Sequence, residues 1–328
     1  MIHALLSVIP PEAAHRAAIA ALSRGYGPAG PSAGRPTRLF GKDLPGRVGL
    51  SGGADKMASA LDGWRRLGFA FVEAGTVTPD PRPGNPGKRV WRVGGDAMVN
   101  WMGLPGPGIG TFRGNLAAFR ATPLGRGYCV GASVHAPTGG PDAVAAMGIA
   151  LAPLVDFMTM NASCPNTEHG KGALAGLVAE AGALVRSAPG VPVLVKLGPA
   201  VDMGVVDEAV DAFRGAGVAG FVACNTVPHD LRGMLGPDAP NPWPTSLGKP
   251  VGGYSGPGLL GISVPMVERI RARAGDGHTV LGAGGVRDAA GLAAMLSAGA
   301  DAVQVYTAVA RGGPRVLADL VRADAGTP

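Results

Sequence analysis

The sequence predicts a (β/α)8 barrel, in which eight parallel strands close into a cylinder surrounded by helices. Two observations support this fold. Short, continuous apolar runs recur along the chain with helical patterns between them, as expected for parallel strands buried on both faces. The runs number eight, the strand count of such a barrel, and span 48–50, 69–75, 128–134, 155–161, 191–197, 218–225, 278–285 and 302–307.

Helical segments connect these runs. The clearest are 57–67, 173–187, 203–216, 264–274 and 289–298, each long enough for a crossover between parallel strands. A doubly wound open sheet shares this alternation and is the alternative. However, no Gly-x-Gly-x-x-Gly follows the first strand with an acidic residue some twenty positions later, which counts against a nicotinamide-binding Rossmann domain.

An extension precedes the barrel. Residues 11–26 are rich in alanine and predict a helix with Pro11 in its first turn and an end near Gly25 or Gly27. A Gly/Pro/Ser-rich connector, 27–36, follows it. We therefore divide the chain into a helical extension with its connector, 1–40, and a barrel, 41–328.

The composition is that of a globular enzyme. Of the 328 residues, 46% are hydrophobic and 16% charged, and the 55 glycines and 30 prolines indicate many turns. The net charge is +6, but the basic residues are dispersed, which argues against nucleic-acid binding and suits anionic small molecules or a phosphate-bearing cofactor. No apolar stretch approaches the ~18 residues that span a bilayer. We expect a soluble protein, with peripheral membrane contact left open.

The cysteines predict a reducing compartment. Cys129, Cys164 and Cys224 have spacings that match neither a disulfide framework nor a metal-binding pair. We therefore expect a cytoplasmic protein without a metal site.

Polar residues and glycines end several of the predicted strands. In a barrel the carboxyl ends of all strands face one mouth, where barrel enzymes have their active sites. The residues that should converge there are Gly75, Thr76, Asn161, Lys196, Asn225 and Thr226.

The last two strand ends predict a phosphate site. Gly282, Gly284 and Gly285 close the seventh run, and Tyr306 and Thr307 close the eighth. Barrels commonly bind phosphate with these two loops, through backbone N–H groups at the start of a helix. The alternative is that the glycines only make tight turns.

An ordered series of motifs resembles the dihydroorotate dehydrogenases, the FMN enzymes of pyrimidine synthesis. The similarity runs from about residue 11 to about residue 320 and implies the same fold, cofactor and oxidation of dihydroorotate to orotate. Each motif alone is a weak signal, whereas the series in this order is highly specific. The motifs are Leu50-Ser-Gly-Gly-Ala-Asp-Lys56, Gly75-Thr-Val-Thr-Pro79, Pro83-Gly-Asn-Pro86, Asn100-Trp-Met-Gly103, Asn161-Ala-Ser-Cys-Pro-Asn166, Lys196, Asn225-Thr226, Gly252-Gly-Tyr-Ser-Gly256, Gly284-Gly285 and Tyr306-Thr307.

The resemblance implies specific roles for the site residues. Cys164 matches the base that removes a ring proton, a task within reach of a thiol if its surroundings favour the thiolate. Lys196 matches the lysine that stabilises negative charge on the reduced flavin, and Lys56 matches a lysine that reaches flavin and substrate carboxylate. The implied substrate amides and hydroxyl are Asn100, Asn161, Asn166, Asn225 and Thr226. The implied FMN contacts are Gly52, Gly53, Thr76, Ser133, Asn161, Lys196, Gly256, Gly284, Gly285, Tyr306 and Thr307.

Departures from the family pattern leave the electron acceptor open. The amino-terminal segment that contains His15 resembles members that use quinone and a serine base, whereas Cys164 resembles soluble members that use fumarate or a nicotinamide cofactor. Ser133 replaces a flavin-binding asparagine of the quinone-linked members, and His135 and Met57 are also unusual. The segment 228–250 is long and rich in proline, and could form part of a lid over Cys164.

Three functions therefore stay open at the level of sequence. The first is oxidation of dihydroorotate, the second is desaturation of another cyclic amide or acid, and the third is a barrel that has lost its chemistry and serves as a scaffold. A homodimer is compatible with all three.

Overall fold

The computed structural model describes residues 8–31, 33–162, 171–235 and 252–326. The helices are α1 (Pro11–Ser23), α2 (Leu61–Leu67), α3 (Gly108–Ala121), α4 (Pro123–Gly127), α5 (Gly140–Leu151), α6 (Lys171–Ser187), α7 (Met203–Gly215), α8 (Leu260–Ala274), α9 (Ala289–Ser297), α10 (Thr307–Gly312) and α11 (Pro314–Gly326). The strands are β1 (Thr37–Leu39), β2 (Lys42–Leu44), β3 (Val48–Leu50), β4 (Phe71–Val77), β5 (Val90–Val93), β6 (Ala97–Asn100), β7 (Cys129–Val134), β8 (Phe157–Ala162), β9 (Val193–Leu197), β10 (Gly220–Ala223), β11 (Val227–Pro228), β12 (Gly253–Ser255), β13 (Thr279–Ala283) and β14 (Ala302–Val305).

Eight parallel strands close into the predicted barrel. Their order around the cylinder is β3, β4, β7, β8, β9, β10, β13 and β14, with β14 pairing back onto β3. Each of the eight apolar runs overlaps one of these strands, although β4 and β8 extend two residues and one residue past their runs. Every residue of β4, β7, β9 and β10 is buried. The barrel is thus confirmed, and the doubly wound open sheet is wrong.

The predicted crossover helices form with small shifts at their ends, except for the first. The segment 57–67 is helical only from Leu61. The carboxylate of Asp55 accepts hydrogen bonds from the backbone N–H groups of Ser59 (3.0 Å) and Ala60 (2.8 Å), and Ala58 has a positive φ of 53°. These contacts hold residues 55–60 as a loop at the mouth of the barrel.

A hairpin that the sequence analysis did not predict closes the opposite end of the barrel. Strands β1 and β2 pair antiparallel, and Phe40 in their turn stacks on Phe157 with ring centroids 4.1 Å apart. Gly131 leaves space for the Phe157 ring, because a Cβ on Gly131 would lie 2.2 Å from Phe157 Cζ. The aromatic packing separates this end from the mouth at which the polar residues gather.

A second unpredicted feature is a four-stranded antiparallel sheet with the order β11, β12, β6 and β5. It joins segments that are far apart in sequence, since Asn100 of β6 pairs with Gly253 of β12. Residues of all four strands line the cavity at the barrel mouth. The sheet therefore forms a wall of that cavity.

Helix α1 packs on the outside of the barrel beside α2. Leu22 is buried there, and a Cβ on Gly63 of α2 would lie only 2.7 Å from Leu22 Cβ. The helix begins at Pro11, as predicted, and ends at Ser23, slightly earlier than predicted. Within the described residues, no helix is long and apolar enough to cross a membrane.

Replacing Asp324 by alanine should destabilise the fold strongly. Asp324, 1% exposed on α11, accepts hydrogen bonds from the backbone N–H groups of Arg35 (2.9 Å) and Arg47 (2.8 Å) and from Arg47 Nε (2.7 Å). Removal of the carboxylate takes the shared acceptor away from these donors, and we expect a loss of about 3–5 kcal/mol in the free energy of unfolding, measured from urea titrations. As a control, Asp319→Ala, whose side chain is 73% exposed beside Arg322, should cost less than about 1 kcal/mol. Equal losses in the two variants would contradict the prediction.

Candidate active site

A cavity of about 470 Å³ opens at the carboxyl ends of the barrel strands. This volume lies within the usual range for small-molecule and cofactor sites. The cavity is lined by all the predicted catalytic, substrate and FMN contacts within the described ranges: Gly52, Gly53, Lys56, Thr76, Asn100, Ser133, Asn161, Lys196, Asn225, Thr226, Gly256, Gly284, Gly285, Tyr306 and Thr307. The structure therefore brings these residues together. Gly75 and Gly282, which the strand ends also suggested, are not among the lining residues. Cys164 and Asn166 lie outside the described residues.

Side chains from four strand ends form a continuous hydrogen-bonded chain along the cavity. Thr76 Oγ1 lies 2.9 Å from Ser133 Oγ and accepts from Asn161 Nδ2 at 3.4 Å. Asn225 Nδ2 donates to Asn161 Oδ1 at 3.2 Å, and the backbone N–H of Thr226 donates to Asn225 Oδ1 at 2.8 Å. The amide orientations are thus fixed before any ligand binds, as a recognition site requires.

Lys196 places a buried cation at the end of β9. Its side chain is flanked along the strand by Val195 and Leu197, the residue is 7% exposed, and Nζ donates to Ser51 Oγ at 3.2 Å. Among the described residues no carboxylate lies within ion-pair distance of this ammonium. A buried charge is costly unless it is compensated. The position therefore suits an anionic or electron-rich group bound in the cavity.

Lys56 contributes a second cation from the loop after β3. Its Nζ donates to the carbonyl oxygen of Gly53 at 2.6 Å. Burial lowers the pKa of Lys56 to about 8, although the neighbouring Asp55 and Glu12 favour the charged form. The side chain is therefore charged at neutral pH and loses its proton within the range accessible to kinetic measurements.

The predicted phosphate loops lie on one side of the cavity. Gly284 and Gly285 have φ angles of 104° and 86°, and a Cβ on Gly285 would lie 2.3 Å from the backbone nitrogen of Leu260. Only glycine allows β13 to approach the start of α8 so closely. Across the gap, Thr307 Oγ1 donates to Ser255 Oγ at 2.9 Å. The loop after β13 therefore packs against the amino-terminal end of α8, and the residues after β14 lead directly into α10.

The cavity also extends to α1, where sequence reasoning did not assign site residues. Glu12 and His15 line it, and Glu12 forms an ion pair with Arg89, which precedes β5. His15 Nδ1 lies 3.1 Å from the hydroxyl of Tyr306. The resemblance of the segment around His15 to the quinone-linked extension was the available signal, but it did not show which residues α1 would meet.

Two other groups near the site, the buried Cys224 and the partly buried His135, bear on its chemistry. Cys224 lines the cavity, and burial raises the pKa of its thiol to about 12, so this cysteine is a poor proton acceptor at neutral pH. Burial also lowers the pKa of His135, whose ring hydrogen-bonds to the backbone of Asn161. No group of metal-ligating side chains occurs among the described residues.

Comparison with known proteins agrees with this geometry. The family model described as dihydroorotate dehydrogenase matches residues 36–323. A dihydroorotate dehydrogenase (quinone) of Rhodococcus opacus is 36% identical over 96% of this chain and 91% of the relative. The enzyme of the same description from Anaeromyxobacter sp. strain K is 38% identical over 94% of this chain and 86% of the relative.

Solved structures show the same fold. Ligand-free DHODH from Eimeria tenella superposes with a TM-score of 0.81 at 24% identity, over 95% of this chain and 93% of that chain. The match of the family model to most of the chain, and relatives 36% and 38% identical along nearly all of it, confirm the resemblance seen in the motifs. The chain belongs to the dihydroorotate dehydrogenase family.

Proposed function

We propose that this protein uses FMN to oxidise dihydroorotate to orotate and that it passes the electrons to a quinone. The observation that carries the proposal is the buried ammonium of Lys196 beside the preorganised amides of Asn161 and Asn225, all within one cavity at the barrel mouth. The relatives described as dihydroorotate dehydrogenase (quinone) support the substrate and the acceptor.

The residues present fit an FMN molecule. Lys196 offers a cation that lacks a carboxylate partner among the described residues, at a position suited to an electron-rich ring. The glycines at 284 and 285 and the start of α10 at Thr307 could hold the phosphate through backbone N–H groups. Gly52 lines the cavity, and a Cβ there would lie 2.3 Å from Oε1 of the buried Glu73, so a side chain at this position would collide with the barrel interior.

The protein's own side chains would bind and deprotonate the substrate. Carboxamides provide both donors and acceptors, as a cyclic ureide requires, and Asn100, Asn161 and Asn225 would hold the ring. Lys56 would bind the substrate carboxylate, and Cys164 would remove the proton from the ring carbon beside the carbonyl. When bound, FMN supplies the acceptor for the hydride that leaves the adjacent carbon.

The assignment of Cys164 as the base rests on the Ser-Cys-Pro-Asn motif and on exclusion of the two cysteines that the structure describes. The pKa of Cys224 is raised to about 12 by burial. Cys129 lies in the cluster at the closed end of the barrel with Phe71 and Phe157, and its pKa is raised further, also mainly by burial. Neither thiol is suited to accept a proton at neutral pH.

We place the quinone on the α1 side of the cavity. This part is lined by residues of the extension and by Tyr306, whereas the amides and Lys196 lie at the strand ends. An acceptor bound here would reach the cofactor without displacing the substrate. Direct transfer to fumarate or to a nicotinamide cofactor is the alternative that the sequence motifs left open.

Turnover assays test the proposal. The FMN-loaded protein, supplied with dihydroorotate, should form orotate rapidly with a short-chain quinone and slowly with fumarate or a nicotinamide cofactor. Equal or faster turnover with fumarate would overturn the choice of acceptor. Protein that cannot be loaded with FMN would instead support the scaffold hypothesis.

A second substrate class is favoured by one observation. Ser133 takes the place of the longer asparagine of quinone-linked relatives, and its hydroxyl forms a hydrogen bond with Thr76 in the cavity. The shorter side chain leaves more space beside the bound flavin and would change the position of the substrate ring. If other cyclic amides or acids reduce the flavin faster than dihydroorotate does, the substrate is one of them.

The value of kcat/KM should fall as the pH rises above 8. Lys56 has a folded-state pKa lowered to about 8, so the cation that binds the substrate carboxylate is present below this pH and lost above it. The ratio kcat/KM reports groups of the free enzyme. Lys56→Arg, which stays charged, should move this basic limb to higher pH. An unchanged basic limb in this variant would assign it to another group.

A further inference from the structure

A buried serine on α8 supports the loop after β13 from outside the cavity. Ser263 lies in the first turn of α8, is fully buried and is not among the residues that line the cavity. Its hydroxyl lies 2.8 Å from the carbonyl oxygen of Gly284 and 2.9 Å from that of Leu259. Gly284 and Leu259 both line the cavity. The serine therefore joins two segments of the cavity wall.

The Gly284 carbonyl depends on this hydroxyl more than the Leu259 carbonyl does. Leu259 directly precedes α8, so its carbonyl can accept the first backbone hydrogen bond of that helix. Ser263 is the only described residue that donates a hydrogen bond to the Gly284 carbonyl. Without the hydroxyl, this carbonyl would lack a donor from the described part of the chain.

The hydrogen bond from Ser263 fixes the direction of one peptide group. The bond between Gly284 and Gly285 is trans, and the C=O and N–H of a trans peptide point in opposite directions. Since the C=O of Gly284 points to Ser263, the N–H of Gly285 points away from Ser263, and Gly285 lines the cavity. This N–H makes no hydrogen bond to any other residue that the structure describes. It is therefore free to bind an anion.

The glycines themselves do not select this direction. Gly284 and Gly285 have positive φ angles of 104° and 86°, which glycine adopts without strain. However, glycine also has the widest choice of other conformations, so a peptide between two glycines rotates easily. A contact from outside the loop is needed to hold one orientation, and Ser263 provides it.

We propose that Ser263 is a positioning residue that holds the N–H of Gly285 towards the phosphate of bound FMN, and that it thereby sets the preference of the cavity for FMN over riboflavin. Riboflavin has the same ring system and ribityl chain but no phosphate. Its binding does not depend on the direction of this N–H. The proposal rests on the proposed function only for the identity of the cofactor.

Titration of the FMN-free protein with each flavin, followed by flavin fluorescence, tests the role of Ser263. We expect Ser263→Ala to weaken FMN binding by roughly threefold to tenfold, the effect of losing one hydrogen bond, and to change riboflavin binding by less than about twofold. An equal loss of affinity for both flavins would mean that Ser263 only packs the barrel. Unchanged FMN affinity would mean that the peptide keeps its direction without the hydroxyl. Either result would overturn the proposal.

Two further variants complete the experiment. Ser263→Cys has a side chain of similar size with a weak S–H donor, so it replaces Ser263→Ala if that variant does not fold. Its preference for FMN over riboflavin should also fall, and a preference equal to that of the wild-type protein would contradict the proposal. Ser187→Ala is the control, because it removes a hydroxyl of α6 that donates to the carbonyl oxygen of Leu184 at 3.0 Å. It should change neither affinity.

The outcomes separate failure of the proposal from failure of the proposed function. A wild-type protein that binds FMN no more tightly than riboflavin would overturn the proposal, whether or not it oxidises dihydroorotate. If Ser263→Ala loses the preference for FMN but the wild-type protein does not oxidise dihydroorotate, the role of Ser263 is supported and only the proposed reaction is wrong.

Discussion

Replacing Cys164 by alanine is expected to slow the reduction of the flavin by dihydroorotate by about 10²–10⁴-fold, the usual contribution of a general base. The proton on the substrate ring then has no acceptor, while the cavity that holds the cofactor is retained. The purified variant should therefore be as yellow as the wild-type protein. The rate is measured by stopped-flow absorbance without oxygen, so that the step is separated from reoxidation by the acceptor.

Two further cysteine variants control this experiment. Cys129→Ala removes a thiol at the closed end of the barrel, away from the cavity, and should leave flavin reduction close to the wild-type rate. Cys224→Ala changes a residue of the cavity wall and tests the competing base. If Cys164→Ala reduces its flavin at the native rate, or if Cys224→Ala is the slower variant, the assignment of the base is wrong.

Replacing Lys196 by methionine should affect stability and cofactor binding in opposite directions. The ammonium is buried without a carboxylate partner among the described residues, so a neutral side chain of similar length should stabilise the protein without FMN. The same change removes a charged hydrogen-bond donor from the flavin site, a contribution of about 1.5–3 kcal/mol, or roughly 10–100-fold in FMN affinity. Thermal unfolding without FMN and a fluorescence titration with FMN measure the two effects.

Lys42→Met is a matched control for this variant. Lys42 pairs with Asp156 at 3.0 Å near the closed end of the barrel. Loss of this ion pair should lower stability slightly and leave FMN affinity unchanged. Two outcomes would contradict the prediction: a lower stability of FMN-free Lys196→Met, or full FMN affinity in this variant. In either case Lys196 stabilises the barrel instead of binding the cofactor.

The barrel could be predicted from the sequence because its signals are local. A parallel strand buried on both faces is a continuous apolar run, and β4 and β9 show this without reference to any other segment. The chain order of the strands then fixes their order around the barrel. Residues that end these strands, such as Asn161 and Asn225, could be assigned to one site before their contacts were known.

The walls of the site could not be predicted in this way. Strands β6 and β12 form one sheet although about 150 positions separate them, and neither is long enough to give a distinct pattern. The contact between His15 and Tyr306 joins residues 291 positions apart. Such pairs form only when the complete barrel brings distant segments together, and no local pattern of residues encodes them.

The early loop at residues 55–60 illustrates a third limit. The apolar residues of this segment suggest a helix, but Asp55 binds two backbone N–H groups and delays the helix until Leu61. An aspartate that competes with the helical hydrogen bonds favours a loop at a helix start. The loop carries Lys56, so the local departure from the helical pattern positions a predicted site residue.

Anaerobic titration of the FMN-loaded protein with dihydroorotate tests the proposed reaction most directly. The yellow absorbance should disappear as substrate is added, and one orotate should form for each flavin reduced. Subsequent addition of a short-chain quinone should restore the oxidised spectrum. A protein that contains bound flavin but stays oxidised in the presence of excess dihydroorotate would contradict the proposed function.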